Sequence, residues 1–174
     1  NAQWVQMSNG MGTSNYVRSL ALFGNNIFAG MGNDSGGTAQ GIYISSNNGT
    51  SWTQTSLNNL WVLSFTTLGT NIFAGTGNAH GVYISTNNGT NWTQTSLNNL
   101  DIGALVTLGT NIFAGTTYNG VYLSTNNGST WTQTSLNSQI ICCLATLGTN
   151  IFAGAGTQYS TGLYRSTNNG TSWT

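Results

Sequence analysis

The sequence predicts an all-β chain folded from four copies of one four-stranded antiparallel unit, and three observations carry that prediction. The string Asn-Ile-Phe-Ala-Gly begins at Asn26, Asn71, Asn111 and Asn150, so one unit of about 40 residues, repeated four times, fills the chain. Within each unit the apolar residues recur with the period of strands: Ile42 and Ile44 alternate with Tyr43 and Ser45, and no stretch shows helical spacing. Tight turns punctuate these runs, as 24 glycines and no proline suggest.

Each element of the unit has its own signature. The first strand is the apolar run seen at 16–23 and at 140–147. A Gly-Asn or Gly-Thr turn joins it, as a two-residue hairpin, to a second strand made by the Asn-Ile-Phe-Ala-Gly run. The third strand follows Gly41, Gly81, Gly120 and Gly162, and the fourth alternates Trp52, Gln54 and Ser56 against Thr53, Thr55 and Leu57. The inner strands are apolar on both sides, as sheets packed face to face require. A single unit cannot bury both faces, so the copies must stack, and radial stacking gives a β-propeller. Blades are expected at about 16–57, 60–97, 100–136 and 140–174. Gln3 to Asn9 matches the fourth strand, with Trp4 aligned to Trp52, so 3–9 is expected to close the ring by completing the last blade. The same arithmetic allows a four-bladed ring in one chain, or part of a larger ring completed by more sequence or by another subunit, with an eight-bladed dimer or an open polymer joined by exchanged strands among its forms.

The turn between third and fourth strands reads Ser45-Ser-Asn47-Asn-Gly49-Thr-Ser-Trp52. It recurs with Ser85, Asn87, Gly89 and Trp92, with Ser124, Asn126, Gly128 and Trp131, and with Ser166, Asn168, Gly170 and Trp173. This resembles the Asp-box, or BNR, repeat of sialidase-like propellers, S-x-D-x-G-x-[ST]-W, and the match covers all four units. Physically it is a folding device: Ser and Asn side chains bond nearby backbone amides, glycine takes a positive φ, and Trp packs over the turn. Asn stands where the repeat has Asp, and losing the carboxylate argues against Ca²⁺ at these turns. Asn48, Asn88, Asn127 and Asn169 also open N-x-[ST] triplets, the acceptor pattern for glycosylation in a eukaryotic secreted protein. The start Asn-Ala-Gln-Trp resembles a processed signal-peptide end of the kind seen in secreted bacterial repeat proteins, which implies an extracellular or cell-surface protein.

Composition then excludes function classes. There are two Lys+Arg, both Arg, and two Asp+Glu, both Asp, for a net charge of zero. Such a chain offers no basic patch for nucleic acid, and no apolar run is long enough to span a membrane. Adjacent Cys142 and Cys143 rarely bridge each other and are read as small, buried strand residues. The sialidase resemblance implies an arginine cluster, a Tyr paired with Glu and an acidic general acid; Arg18, Arg165, Asp34 and Asp101 do not supply that set. His80 is the only histidine, too few for a multi-His zinc site. The expectation is therefore no catalysis, no metal and no cofactor.

Function is sought where near-identical units differ. Aligned on Asn-Ile-Phe-Ala-Gly, the first strand begins with Tyr16, Trp61, Asp101 or Ile140, and two residues later carries Arg18, Leu63, Gly103 or Cys142. First strands line a propeller's channel, so these side chains would ring one mouth of it. The loops from second to third strand also vary and hold Asp34, His80, Tyr118 and Tyr159. Tyr16, Arg18, Trp61, His80, Asp101 and Tyr118 are the candidate ligand-binding set. The expected function is a non-catalytic extracellular scaffold that binds a carbohydrate, as a neutral glycan, or a protein partner. The alternatives are a self-assembling structural protein, a homo-oligomer through its terminal strands, and an inactive relative of a glycosidase.

Overall fold

The computed structural model describes residues 3–12, 16–32, 38–157 and 160–174. They form a β-propeller of four blades. Blade 1 contains β1 (Val17–Phe23), β2 (Asn26–Met31), β3 (Ile42–Ser45) and β4 (Thr53–Gln54), hydrogen-bonded in that order. Blade 2 repeats this with β5 (Val62–Leu68), β6 (Asn71–Thr76), β7 (Val82–Ser85) and β8 (Thr93–Gln94). Blade 3 has β9 (Ile102–Leu108), β10 (Asn111–Thr116), β11 (Val121–Ser124) and β12 (Thr132–Gln133). Blade 4 has β13 (Ile141–Leu147), β14 (Asn150–Thr157) and β15 (Ser160–Ser166). Its fourth-strand position is marked by Thr174, which exchanges two backbone hydrogen bonds with Arg165.

Every pairing is antiparallel, and the hairpins have the expected two-residue turns, with Gly24, Gly69, Gly109 and Gly148 at positive φ. The first strands pack side by side, β1 on β5, β5 on β9 and β9 on β13. Three apolar clusters lie between successive blades. Phe28 and Ile42 of blade 1 meet Val62 and Ile72 of blade 2; Phe73 and Val82 meet Ile102 and Ile112; Phe113 and Val121 meet Ile141 and Ile151. At each of these three boundaries the front face of one blade packs on the rear face of the next. In blades 2 and 3 the second strand, flanked on both sides, is buried from its isoleucine onward.

The fourth strand is shorter than the sequence alternation suggests. Strand pairing stops at Gln54 because Leu57, Leu97 and Leu136 turn inward, and their carbonyls accept the N–H of Ile42, Val82 and Val121 at 2.8 Å each. Gly41, Gly81 and Gly120 make that crossing possible, since a Cβ at any of them would collide with the leucine carbonyl. The N-terminal segment also differs from expectation. Residues 3–9 form no strand, and Trp4 is fully exposed rather than placed like Trp52. The segment lies on the rear face of blade 1, where Met11 is buried against Ala29, Met31 and Tyr43, and the Met7 carbonyl accepts the Trp52 indole N–H at 3.0 Å. Apolar Met7 and Met11 anchor it there. Cys142 and Cys143 are free and exposed on β13, not buried: Cys142 stands where the ladder with β14 slips, and among the described residues no strand packs on β13 at Cys143 as β5 packs on β1 at Ser19.

Candidate functional site

The repeated turn is built as the sequence suggests, with one addition. In blade 3 the Ser124 hydroxyl accepts the Gly128 N–H at 2.9 Å and donates to Asn126 Oδ1 at 3.1 Å, while the same Oδ1 accepts the Thr130 N–H at 2.9 Å. Asn127 and Gly128 take consecutive positive φ values of 60° and 79°, as do the corresponding pairs in the other blades. The addition is the amide N–H₂: Asn126 Nδ2 donates to Thr130 Oγ1 at 2.8 Å, and Asn47 and Asn168 donate likewise to Ser51 and Ser172. An aspartate has no such donor.

The divergent residue of the first strand has a structural cause. In all four blades the ladder between first and second strands slips at the same place: Val17 and Ser19 pair with Met31 and Gly30, skipping Arg18. Leu63, Gly103 and Cys142 are skipped in the same way. Each is a β-bulge, whose side chain is released from the alternation that fixes its neighbours. Arg18 therefore lies over Gly32, Leu63 lies over Gly77, and the Cys142 thiol donates to the Gly156 carbonyl at 3.3 Å. The bulge sets four positions free to vary at one end of the innermost strands.

Around these bulges the structure brings some candidates together. Tyr16, Trp61 and Asp101 precede β1, β5 and β9, and each carbonyl accepts an N–H from its own second-strand end: Gly32, Gly77 and Thr117. Trp61 is held against Gly77, which has no side chain to displace it. The Asp101 carboxylate accepts the Ala79 N–H across the blade 2 to blade 3 boundary. That links Asp101 to the loop of His80, whose Nδ1 lies 3.3 Å from the Gly77 carbonyl. Tyr16 and Tyr118 are exposed, the latter at 72%. Asp34 and Tyr159 lie outside the described residues.

Two kinds of supporting residue were not legible as such in the sequence. The glutamine of each fourth strand clamps the loop that carries candidates: Gln54, Gln94 and Gln133 donate to the carbonyls of Gln40, His80 and Asn119 at 2.8, 2.7 and 2.8 Å. Its recurrence in Trp-Thr-Gln was the available signal. Ser19 and Ser64 tie adjacent first strands by donating to the Val62 and Ile102 carbonyls at 3.1 and 3.2 Å. Among the described residues no group of three or more His, Cys, Asp or Glu side chains is placed to hold a metal ion, and no helix is long and apolar enough to cross a membrane.

No protein-family model matches the chain, and no curated protein does either. Solved structures do match in fold. An ancestral GH74 enzyme aligns with a TM-score of 0.73 at 20% identity, over 98% of this chain and 25% of its own. The GH74 xyloglucanase from Xanthomonas campestris gives 0.73 at 13% identity, over 97% of this chain and 32% of its own. YCF48 bound to D1 peptide gives 0.69 at 13% identity, over 94% of this chain and 55% of its own. The chain thus spans a quarter to a third of the two GH74 proteins and about half of YCF48. What it shares with them is the propeller fold.

Proposed function

We propose that this chain is a non-catalytic, extracellular binding scaffold that holds a neutral, hydroxyl-rich ligand, a glycan, at the mouth formed by the starts of β1, β5 and β9. The observation that carries the reading is the β-bulge repeated at one place in all four blades, because it releases the positions of Arg18, Leu63, Gly103 and Cys142 from the alternation at one end of the innermost strands, the end to which Tyr16, Trp61 and Asp101 also belong. Trp61 supplies a fixed aromatic face for the apolar side of a sugar ring, with Tyr16 and Tyr118 at its margins and Arg18 and His80 as polar partners. Asp101 serves the scaffold through its bond to Ala79. Glycoside hydrolysis by the usual route needs two carboxyl groups across one bond, and the chain has two aspartates in all.

The resemblance to GH74 propellers makes xyloglucan the first glycan to try. Binding to a plant and bacterial glycan panel, followed by calorimetry on any hit, should give an affinity that Trp61→Ala lowers at least about tenfold, the loss expected when one stacking face is removed. The substitution should leave the melting temperature nearly unchanged. Binding that survives Trp61→Ala, or release of reducing sugar from the bound glycan, would overturn this reading.

A further inference from the structure

The end faces of the four-blade array carry the two halves of an interface that the chain already makes three times. At each internal boundary, the phenylalanine of one blade's second strand sits on the turn glycine of the next. Phe28 fills the space a Cβ on Gly89 would need; Phe73 Cε1 lies 3.0 Å and Phe113 Cε1 3.3 Å from the corresponding points at Gly128 and Gly170. Two members of this series are left over. Phe152 on the front of blade 4 meets no turn glycine among the described residues. Gly49 on the rear of blade 1 is met by the terminal methyl of Met7 at 3.7 Å and by its own Trp52.

Other positions repeat the pattern. Ile42, Val82 and Val121 are fully buried on front faces, whereas Leu163, in the same place on blade 4, is 72% exposed. Leu105 is buried on the rear of blade 3, whereas Leu20 on the rear of blade 1 is 66% exposed. Ser19 and Ser64 reach the next blade's first strand, and exposed Cys143 holds that position on β13. Among the described residues no packing like that of β1 on β5 joins β13 to β1.

We propose that a second copy of this chain docks head to tail on these faces, its blade 4 front against the blade 1 rear, with Phe152 over Gly49 and Cys143 against the first strand at Val17. Residues 6–8, which now border the apolar hollow lined by Met11, Val17, Leu20 and Trp52, are a stand-in for the absent blade and swing aside on docking. Repeating the contact by a two-fold axis closes a pair of chains. Arg165 is compatible with it. Its counterparts Ile84 and Leu123 face the turns at Asn127-Gly128 and Asn169-Gly170, so Arg165 would face the uncharged Asn48-Gly49 turn.

Sedimentation of the 174-residue chain across concentration should reach twice the 18.3 kDa chain mass. Leu20→Asp and Leu163→Asp, both at exposed positions, should keep the fold by circular dichroism while weakening association at least tenfold. In a Cys142→Ser variant, Cys143 alkylation should slow at least tenfold as the pair forms. A single-chain mass at all concentrations overturns the proposal. So does a pair that neither substitution weakens, or growth past two chains.

Discussion

The same five-residue string, Asn-Ile-Phe-Ala-Gly, stands in four environments, so Phe→Ala within it is a controlled measurement of what stacking contributes. Phe73 is fully buried between the β5–β8 sheet and the turn of the next blade, where it fills the space above Gly128. Its ring removes about 150–200 Å² of apolar surface from water, which at ~25 cal/mol/Å² comes to about 4–5 kcal/mol. Large-to-small substitution of buried phenylalanine costs about 3–5 kcal/mol by direct measurement elsewhere, so the two routes agree. Gly128 cannot close the cavity, because its φ of 79° belongs to glycine. Phe152 has the same neighbours in sequence but is only half-buried on the front of blade 4, and its truncation should cost about 1–2 kcal/mol. Urea unfolding, followed by tryptophan fluorescence in a Leu163→Asp background so that association does not contribute, tests this. With a slope of about 2 kcal/mol/M, Phe73→Ala should lower the midpoint by about 2 M and Phe152→Ala by less than about 1 M. Equal shifts would refute the reasoning, since they would mean that the phenylalanine stabilises its own sheet and not the contact between blades.

Two further predictions concern single groups. Ser124→Ala leaves the buried Gly128 N–H without its acceptor and should cost about 1–3 kcal/mol, read as a lower urea midpoint, whereas Ser124→Thr should recover part of it. Burial pushes the Tyr83 phenol above its ordinary value of 10.0. The folded chain therefore keeps a proton that the unfolded chain gives up, so this contribution is intact below pH 10 and is lost as pH rises from there through the raised value. Melting temperatures taken from pH 8 to 11.5 should show a shallower alkaline decline for Tyr83→Phe than for the parent chain.

What could be read from the sequence was whatever a local period or a repeated turn encodes. Residues 42–45 alternate, the Asn-Gly pair demands a left-handed turn, and four copies of one unit of about 40 residues demand stacking; the propeller follows from those. Pairing register is not local. The bulge at Arg18, Leu63, Gly103 and Cys142 exists only relative to the second strand, so the sequence showed divergence there without its cause. The fourth strand looked longer because Thr53 to Leu57 keeps alternating, yet the backbone at Leu57 is committed to Ile42. The N-terminal segment matched a fourth strand by sequence, but pairing needs an available edge and a buried Met11 needs an apolar face, and the rear of blade 1 offers the second. The candidate site was located only in outline: Trp61, His80 and Asp101 gather near one boundary through Gly77 and Ala79, small loop residues with no chemical signature of their own.

The near absence of charge connects the turn to the assembly. An Asp-box with four aspartates would place a carboxylate in every outer turn of a chain with only two arginines. Asparagine keeps the acceptor that organises the turn, Oδ1 to the Thr130 N–H and its counterparts, and adds a donor where Ser or Thr follows. Each turn is then locally satisfied without a counter-ion, and the exterior carries almost no field. Contact between blade faces, inside one chain or across two, gains no electrostatic steering and meets no like-charge barrier, so it rests on apolar complementarity and short-range hydrogen bonds such as that from Ser19 to the Val62 carbonyl. Raising salt from 0.05 to 0.5 M should therefore leave a head-to-tail pair intact. That would separate it from any association held by Arg18 or Arg165, which screening over a Debye length of about 4–14 Å in that range would weaken.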